Sequence, residues 1–389
     1  MLGIYLHIPF CAKVCDYCDF HVLPAHERLF QEFTDLICAE IGVFEENHPG
    51  LLAQAQTLYL GGGTPSILPG RNIRQLFDCL RDKGVNVSKL QEVSMEFNPE
   101  SVTEESVYNA MSCGVKRISL GLQTFDPALL KVIGRAHTVE RGLEALDFLT
   151  KIDGLQVSGD LMFDLPTQTV AQFLDDVDRL SSYPLNHISF YGLTVSPRTV
   201  LGQKVSKGVL TVDEDLYEAM YCGGVEILRR KGFERYEVSN FAKPGFESAH
   251  NRNYWDRGEY AGFGPGAHSF LGSRRFYAPE MYPRWRDYVN AGAGESGLTV
   301  DALGADDKLA ELIWLSMRQA RGLDLDELKK LGLRLMQNGF SKWISKGFLA
   351  EIERDVGGVN HRFLQLVDRG WIFMDDIVTD LMNSCSNLE

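Results

Sequence analysis

The 389-residue sequence has no apolar run near the ~20 residues that a membrane-spanning helix requires. Its first ten residues have no basic segment leading into a long apolar stretch, so no secretory signal is expected. Internal repeats and low-complexity tracts are missing, which excludes solenoids, collagen and long coiled coils. Positive charge is in deficit: 39 Lys and Arg stand against 53 Asp and Glu, a formal net charge of −14. Such a field repels phosphate backbones, so no nucleic-acid partner is expected. What remains is a globular composition, 44% hydrophobic and 24% charged, long enough for two or three domains with cores of their own. These features together predict a cytoplasmic protein.

There are eight cysteines, too few and too scattered for a disulfide framework in a chain with no export signal. Cys38, Cys79, Cys113, Cys222 and Cys385 occur singly among apolar residues and read as small buried hydrophobes. Cys11, Cys15 and Cys18 fall within eight residues as C-x₃-C-x₂-C, a spacing that lets one loop present three thiolates to a single soft metal centre. Three occupants compete. Zinc would need a fourth ligand, which His21 could supply. A ferredoxin-type cluster would need four cysteines at other spacings. A [4Fe–4S] cluster on three cysteines would leave one iron open to an outside ligand, and the spacing favours it over zinc.

Short β-branched or aromatic runs recur at Gly3–Ile8, Thr57–Leu60, Glu92–Phe97, Arg117–Leu122, Gln156–Met162 and His187–Leu193. Between them, segments such as Glu27–Phe44, Ile73–Lys83 and Val139–Leu149 carry helical spacing. Repeated βα units mean a mostly parallel sheet, either a partial or full (β/α) barrel or a doubly wound sheet. A barrel gathers its active site at the C-terminal ends of the strands. The unusual residues obey that rule. The cysteine loop follows the first run, Gly61-Gly-Gly-Thr64-Pro65 the second, and Glu96-Phe-Asn98-Pro99 ends the third, while Gln123 ends the fourth and Asp160 lies in the fifth.

Two further regions follow the 1–235 core. Residues 236–295 are rich in Gly, Pro and aromatics, hold His250-Asn-Arg-Asn-Tyr254-Trp255, and are read as a connecting segment. Residues 296–389 alternate helical segments with a hairpin pattern about Gly357-Gly358, which predicts a winged-helix-like domain. From residue 300 onward there are eleven basic and fifteen acidic residues, so DNA is a poor partner for that module.

Tyr5-Leu-His7-Ile-Pro-Phe-Cys11, the three-cysteine spacing and Gly61-Gly-Gly-Thr-Pro65 together resemble the radical S-adenosylmethionine superfamily. Over nearly its whole length the chain is similar to the branch holding oxygen-independent coproporphyrinogen III dehydrogenase and the HemW-type heme chaperones. The resemblance implies an α/β fold, a partial (β/α)6 TIM-like barrel with a C-terminal winged-helix-like domain. It also implies a [4Fe–4S] cluster on Cys11, Cys15 and Cys18 whose fourth iron takes S-adenosylmethionine. By the same resemblance Gly63, Thr64 and Pro65 face the methionine part of that nucleotide, and Tyr5, Glu96, Gln123, Arg135 and Asp160 lie against the cluster or the nucleotide. Arg135 suits a carboxylate, because its planar fork can engage both oxygens. The glycine run is expected to let the backbone approach the ligand closely.

Within that branch the dehydrogenase pattern has a fourth cysteine two residues after the third, where this chain has Phe20. It also has a longer extension before the cysteines; here ten residues precede Cys11. His250-Asn-Arg-Asn-Tyr-Trp255 resembles the H-N-x-x-Y-W signature of the chaperones. These three features imply a carrier that binds heme and passes it to acceptor proteins, which would include respiratory ones. His250 is the candidate heme ligand, since an imidazole beside flat aromatic walls suits an iron porphyrin. His268 is a lesser candidate with a structural role. His7 and His137 are expected to pack near the cofactor, while Asn251, Tyr254 and Trp255 shape the loop. The exposed aromatics expected over 254–285 offer a homodimer contact. The competing readings are a dehydrogenase that decarboxylates coproporphyrinogen III and a zinc-stabilised winged-helix binding protein.

Overall fold

A computed structural model describes residues 1–387; residues 388 and 389, the end of the expected 296–389 module, lie outside the described residues. The six apolar runs form strands: β1 (Leu2–Ile8), β2 (Ala55–Gly62), β3 (Glu92–Phe97), β4 (Arg117–Gln123), β5 (Gln156–Phe163) and β6 (His187–Gly192). They pair side by side in chain order, all parallel. The crossovers carry helices: α1 (Glu27–Asn47), α2 (Gly70–Asp82), α3 (Glu104–Cys113), α4 (Val139–Leu149) and α5 (Val170–Ser181), with α6 (Tyr217–Arg230) after β6. Local chemistry sets where helices begin. Thr103, Thr138 and Thr169 each accept the N–H three residues on, satisfying a donor the first helical turn leaves open.

Alternation along the strands divides two environments. Ile4, Leu6 and Ile8 of β1 and Leu58 and Leu60 of β2 are fully buried in one core with Phe33 and Ile37 of α1 and Leu76 and Phe77 of α2. The intervening positions face the other side of the sheet and are polar or small, including Tyr5, Tyr59, Ser94, Glu96, Ser119 and Asp160. A hydrophobic exterior therefore holds a polar lumen in shape.

The 236–295 segment is not a connection between domains; it is built into the sheet. β7 (Asn240–Ala242) runs antiparallel to β6. A short helix, α7 (Ala249–Trp255), then leads into β8 (Glu259–Phe263), which pairs in parallel with β1. β8 is thus a seventh parallel strand, on the side of β1 away from β2. β9 (His268–Leu271), β10 (Arg274–Tyr277) and, beyond α8 (Tyr282–Asn290), β11 (Thr299–Asp301) continue the sheet antiparallel. Glu-Tyr-Ala-Gly-Phe has no β-branched residue and sits in a Gly- and aromatic-rich stretch, so it does not announce a strand, and its partner lies about 250 residues away.

The last part opens with α9 (Ala305–Met317) and holds a hairpin of β12 (Leu349–Val356) and β13 (Val359–Leu366), followed by a helix at Met374–Asn383. Gly357 and Gly358 make its two-residue turn, both at positive φ (64° and 87°), which glycine adopts without strain. Leu323–Asp324 adds a third strand beside β13, giving the winged-helix-like arrangement. The module docks through main chain: Val238 N–H donates to Arg318 O at 3.0 Å and Ala320 N–H to Tyr236 O at 3.0 Å.

Candidate functional site

The loop after β1 carries Cys11, Cys15 and Cys18 and is fastened on three sides. Leu23 and Ala25 N–H return to Pro9 O and Cys11 O, Asp16 N–H donates to Ile133 O, and Leu201 N–H donates to Asp16 O. Cys11 is buried and accepts from Thr64 Oγ1 at 3.6 Å, while Cys15 accepts from Arg135 Nη1 at 3.5 Å. Burial raises the Cys11 thiol to about 11 and also raises Cys18, so a metal binding here displaces protons. His21, the fourth ligand on the zinc reading, turns its Nε2 to Glu280 at 3.4 Å instead. Phe20, beyond Cys18, is 71% exposed. The donor set, three thiols with a guanidinium against one of them, fits an anionic iron–sulfur centre.

Hydrogen bonds tie Arg135, Thr64 and Gly63, three of the expected nucleotide residues, to this loop. Arg135 Nη2 donates to Asn98 Oδ1 at 2.7 Å and to Gly121 O at 2.6 Å, and Asn98 Nδ2 donates to Thr64 Oγ1 at 2.8 Å. A continuous chain thus runs from Cys15 through Arg135, Asn98 and Thr64 to Cys11. Asn98 is the residue that the sequence reading left out of the site; its place at the end of β3, two after Glu96, is the signal that could have found it. Both Nη groups of Arg135 are committed to protein, so its fork does not stand open to a carboxylate as expected. Its buried Nε is the donor left without a partner.

The glycine run is also explained differently from the expectation. A Cβ on Gly62, which sits at φ 107°, would lie 2.6 Å from the His7 ring. One on Gly63 would lie 2.7 Å from Phe10 O and 2.9 Å from Ile8 O. Gly63 and Thr64 N–H donate to those two carbonyls, at 2.8 and 2.7 Å respectively. The glycines let the cysteine loop itself approach the end of β2. Pro65 is buried, and Gln123 ends β4 at φ 70° beside a register shift.

Deeper in the lumen, Glu96 accepts from Tyr59 Oη at 2.8 Å and from Gly62 N–H at 3.1 Å. Burial raises its carboxyl to about 7. Asp160 accepts from Ser119 Oγ at 2.7 Å and is raised by burial to about 6. Tyr5 donates toward His7 Nδ1 at 3.1 Å and stacks on Tyr59, with ring centres 6.3 Å apart.

His250 closes the opposite, N-terminal end of the lumen and does not match its expected role as a heme ligand. It is 1% exposed. Its Nδ1 bonds Thr57 Oγ1 at 2.8 Å, its Nε2 bonds Tyr254 Oη at 2.8 Å, and its ring stacks on Tyr59 at 5.2 Å. A ligand must offer a free nitrogen to iron, and neither is free. Neighbouring groups of α7 reinforce the seal, with Ser248 Oγ and Ala249 N–H donating to the two oxygens of Glu92.

Comparisons with known proteins agree with this layout. The Radical SAM superfamily matches residues 5–180. The heme chaperone HemW of Lactococcus lactis is 32% identical over 326 residues, 84% of this chain and 83% of that protein. HemW of Bacillus subtilis is 32% identical, covering 83% and 85%, and HemW of Escherichia coli is 32% identical, covering 69% of each. Among solved structures, the coproporphyrinogen III oxidase HemN of Escherichia coli, a radical SAM enzyme, superposes with a TM-score of 0.80. That match covers 98% of this chain and 89% of the other at 20% identity, a shared fold. No helix among the described residues is long and apolar enough to cross a membrane.

Proposed function

Because this chain belongs to the HemW family of heme chaperones and carries the radical SAM domain, we propose that it is a heme carrier. On this reading it holds a [4Fe–4S] cluster on Cys11, Cys15 and Cys18, binds S-adenosylmethionine beside it, and delivers heme to acceptor proteins. When bound, the cluster supplies low-potential electron transfer toward the nucleotide's sulfonium.

The chain's own residues do the positioning. Arg135 places positive charge against Cys15 and fixes Asn98; Asn98 fixes Thr64, whose hydroxyl addresses Cys11. Glu96, near neutrality in its proton affinity, and Asp160 offer carboxyls in the lumen beneath the loop. Tyr5 and Tyr59 fill the space between that edge and His250, so they exclude water from the same face.

The observation that carries the proposal is the three-thiol loop at the C-terminal edge, tied to Arg135 and Thr64, with exposed Phe20 where the dehydrogenase pattern has its fourth cysteine. Anaerobic reconstitution with iron and sulfide, then a hemin titration followed by visible absorption, tests it. One saturating heme per chain together with about four irons is expected. Conversion of coproporphyrinogen III to product would replace the carrier reading with the enzymatic one, and a colourless, iron-free preparation would overturn both.

A further inference from the structure

Since His250 offers no free nitrogen, heme on this carrier must find its axial ligand elsewhere. His7 and His187, like His250, have both ring nitrogens hydrogen-bonded. His21, His137 and His361 are paired with Glu280, Glu100 and Asp324. Three histidines remain with neither ring nitrogen in a hydrogen bond or ion pair among the described residues. His26 is an exposed residue at the start of α1. His48 stacks on Phe44 at 4.7 Å and lines a narrow cleft of about 50 Å³. His268, at the start of β9, is exposed, and neither ring nitrogen has a hydrogen-bond partner among the described residues. Its ring lies flat on Tyr277, 4.6 Å between centres and 20° from parallel.

The register of β8, β9 and β10 shows what surrounds His268. Tyr260 lies opposite Phe270, Phe270 opposite Arg275, and His268 opposite Tyr277. Side chains alternate along a strand, so all five share one face of the sheet. Gly3 and Tyr5 of β1 pair with Tyr260 and Gly262, so this is the face that also bears the lumen. Tyr254 of α7 meets Tyr260 edge-on at 4.7 Å. Between this face and α9 runs a groove of about 250 Å³, walled by Tyr254, Tyr260, Phe270 and Arg275.

We propose that heme seats on this face, with His268 as its axial ligand and Arg275 receiving a propionate. The site rests on the carrier reading and specifies where that cargo sits. Flat aromatic walls suit a porphyrin, and a guanidinium suits a carboxylate. Arg275 now pairs with Glu311 of α9, so a propionate would compete for that contact. Release is thereby built into the same ion pair. His268 stands two residues along β9 from Phe270 of the groove wall, on the same sheet face, and its exposure leaves one heme face free for handover. Partial desolvation against Tyr277 and the charge of Arg275 lower the proton affinity of His268, which favours the neutral imidazole that can ligate. The H-N-x-x-Y-W motif takes a new role: His250 is a positioning residue that holds Tyr254 at the groove wall.

The test is a hemin titration of the reconstituted protein and of His268→Ala, Arg275→Gln and His48→Ala, with Soret position and saturation as readouts. His268→Ala should bind at least tenfold more weakly and lose the imidazole-ligated spectrum, and added imidazole should restore that spectrum. Arg275→Gln should weaken binding several-fold with an unchanged spectrum, and His48→Ala should match wild type. If wild type saturates at one heme and His268→Ala matches it, the site is wrong and the carrier reading stands. If wild type fails to saturate, the carrier reading itself falls.

Discussion

The role assigned to His250 yields a stability prediction that separates a buried structural histidine from a ligand. Replacing it with alanine strips the partner from Thr57 Oγ1, which is fully buried, and from Tyr254 Oη, which borders the groove. Orphaning a buried hydroxyl costs about 1–3 kcal/mol, and Tyr254 can regain part of its loss from water. Removing the ring also ends the stack on Tyr59, about 1 kcal/mol, and leaves a void. His250→Ala should therefore lose about 3–5 kcal/mol at pH 7.5. In urea unfolding followed by circular dichroism this moves the midpoint by roughly 1 M or more. The difference should also depend on pH. Burial lowers His250 to about 4, against about 6.5 unfolded. Between those values the unfolded chain binds the proton and the folded one does not. The contribution is thus complete above pH 6.5 and is lost as pH falls toward 4. The gap between wild type and variant should narrow by about 2 kcal/mol between pH 7.5 and pH 5. A variant within about 0.5 kcal/mol of wild type at pH 7.5, well below the cost of one orphaned hydroxyl, would refute the reasoning. So would a gap that does not change with pH.

Glu40 predicts the opposite pH trend. Its buried carboxyl, raised by burial to about 7, accepts from Gly264 N–H and Trp285 Nε1. Its stabilising contribution is full below pH 4.5 and lost as pH rises through 7, so Glu40→Gln should gain about 3 kcal/mol on wild type between pH 4.5 and 8 in the same unfolding assay. Gly63→Ala would place a methyl against Phe10 O and Ile8 O and push the cysteine loop outward. Iron retained per chain after reconstitution should fall by more than half while far-ultraviolet circular dichroism is kept; full iron content would show that the loop tolerates the shift. Arg135→Ala removes the guanidinium at Cys15 and releases Asn98. Calorimetric titration should show S-adenosylmethionine binding weakened about tenfold, because Asn98, and through it Thr64, lose the anchor that holds them beside the cysteine loop. Unchanged affinity would remove Arg135 from the site.

Chemistry carried by contiguous residues was readable from the sequence. The C-x₃-C-x₂-C spacing, the Gly61–Pro65 run and six alternating βα units depend on local pattern, and local pattern also sets the threonine caps that start α3 to α5. These were enough to give the α/β class, the edge on which the polar residues gather and the family. Tertiary structure decided the rest, because it turned on partners far apart in the chain. β8 became a barrel strand only through its pairing with β1, and the glycines proved to serve Ile8 and Phe10, more than fifty residues earlier. Asn98 gained its place from Thr64 and Arg135. His250 and His268 each stand beside aromatic or glycine-rich sequence. Only packing separates them: Thr57 and Tyr254 use both nitrogens of one, while a β-sheet face leaves both nitrogens of the other open. A sequence motif records which side chains are present, but whether a nitrogen is free depends on what the fold brings to it.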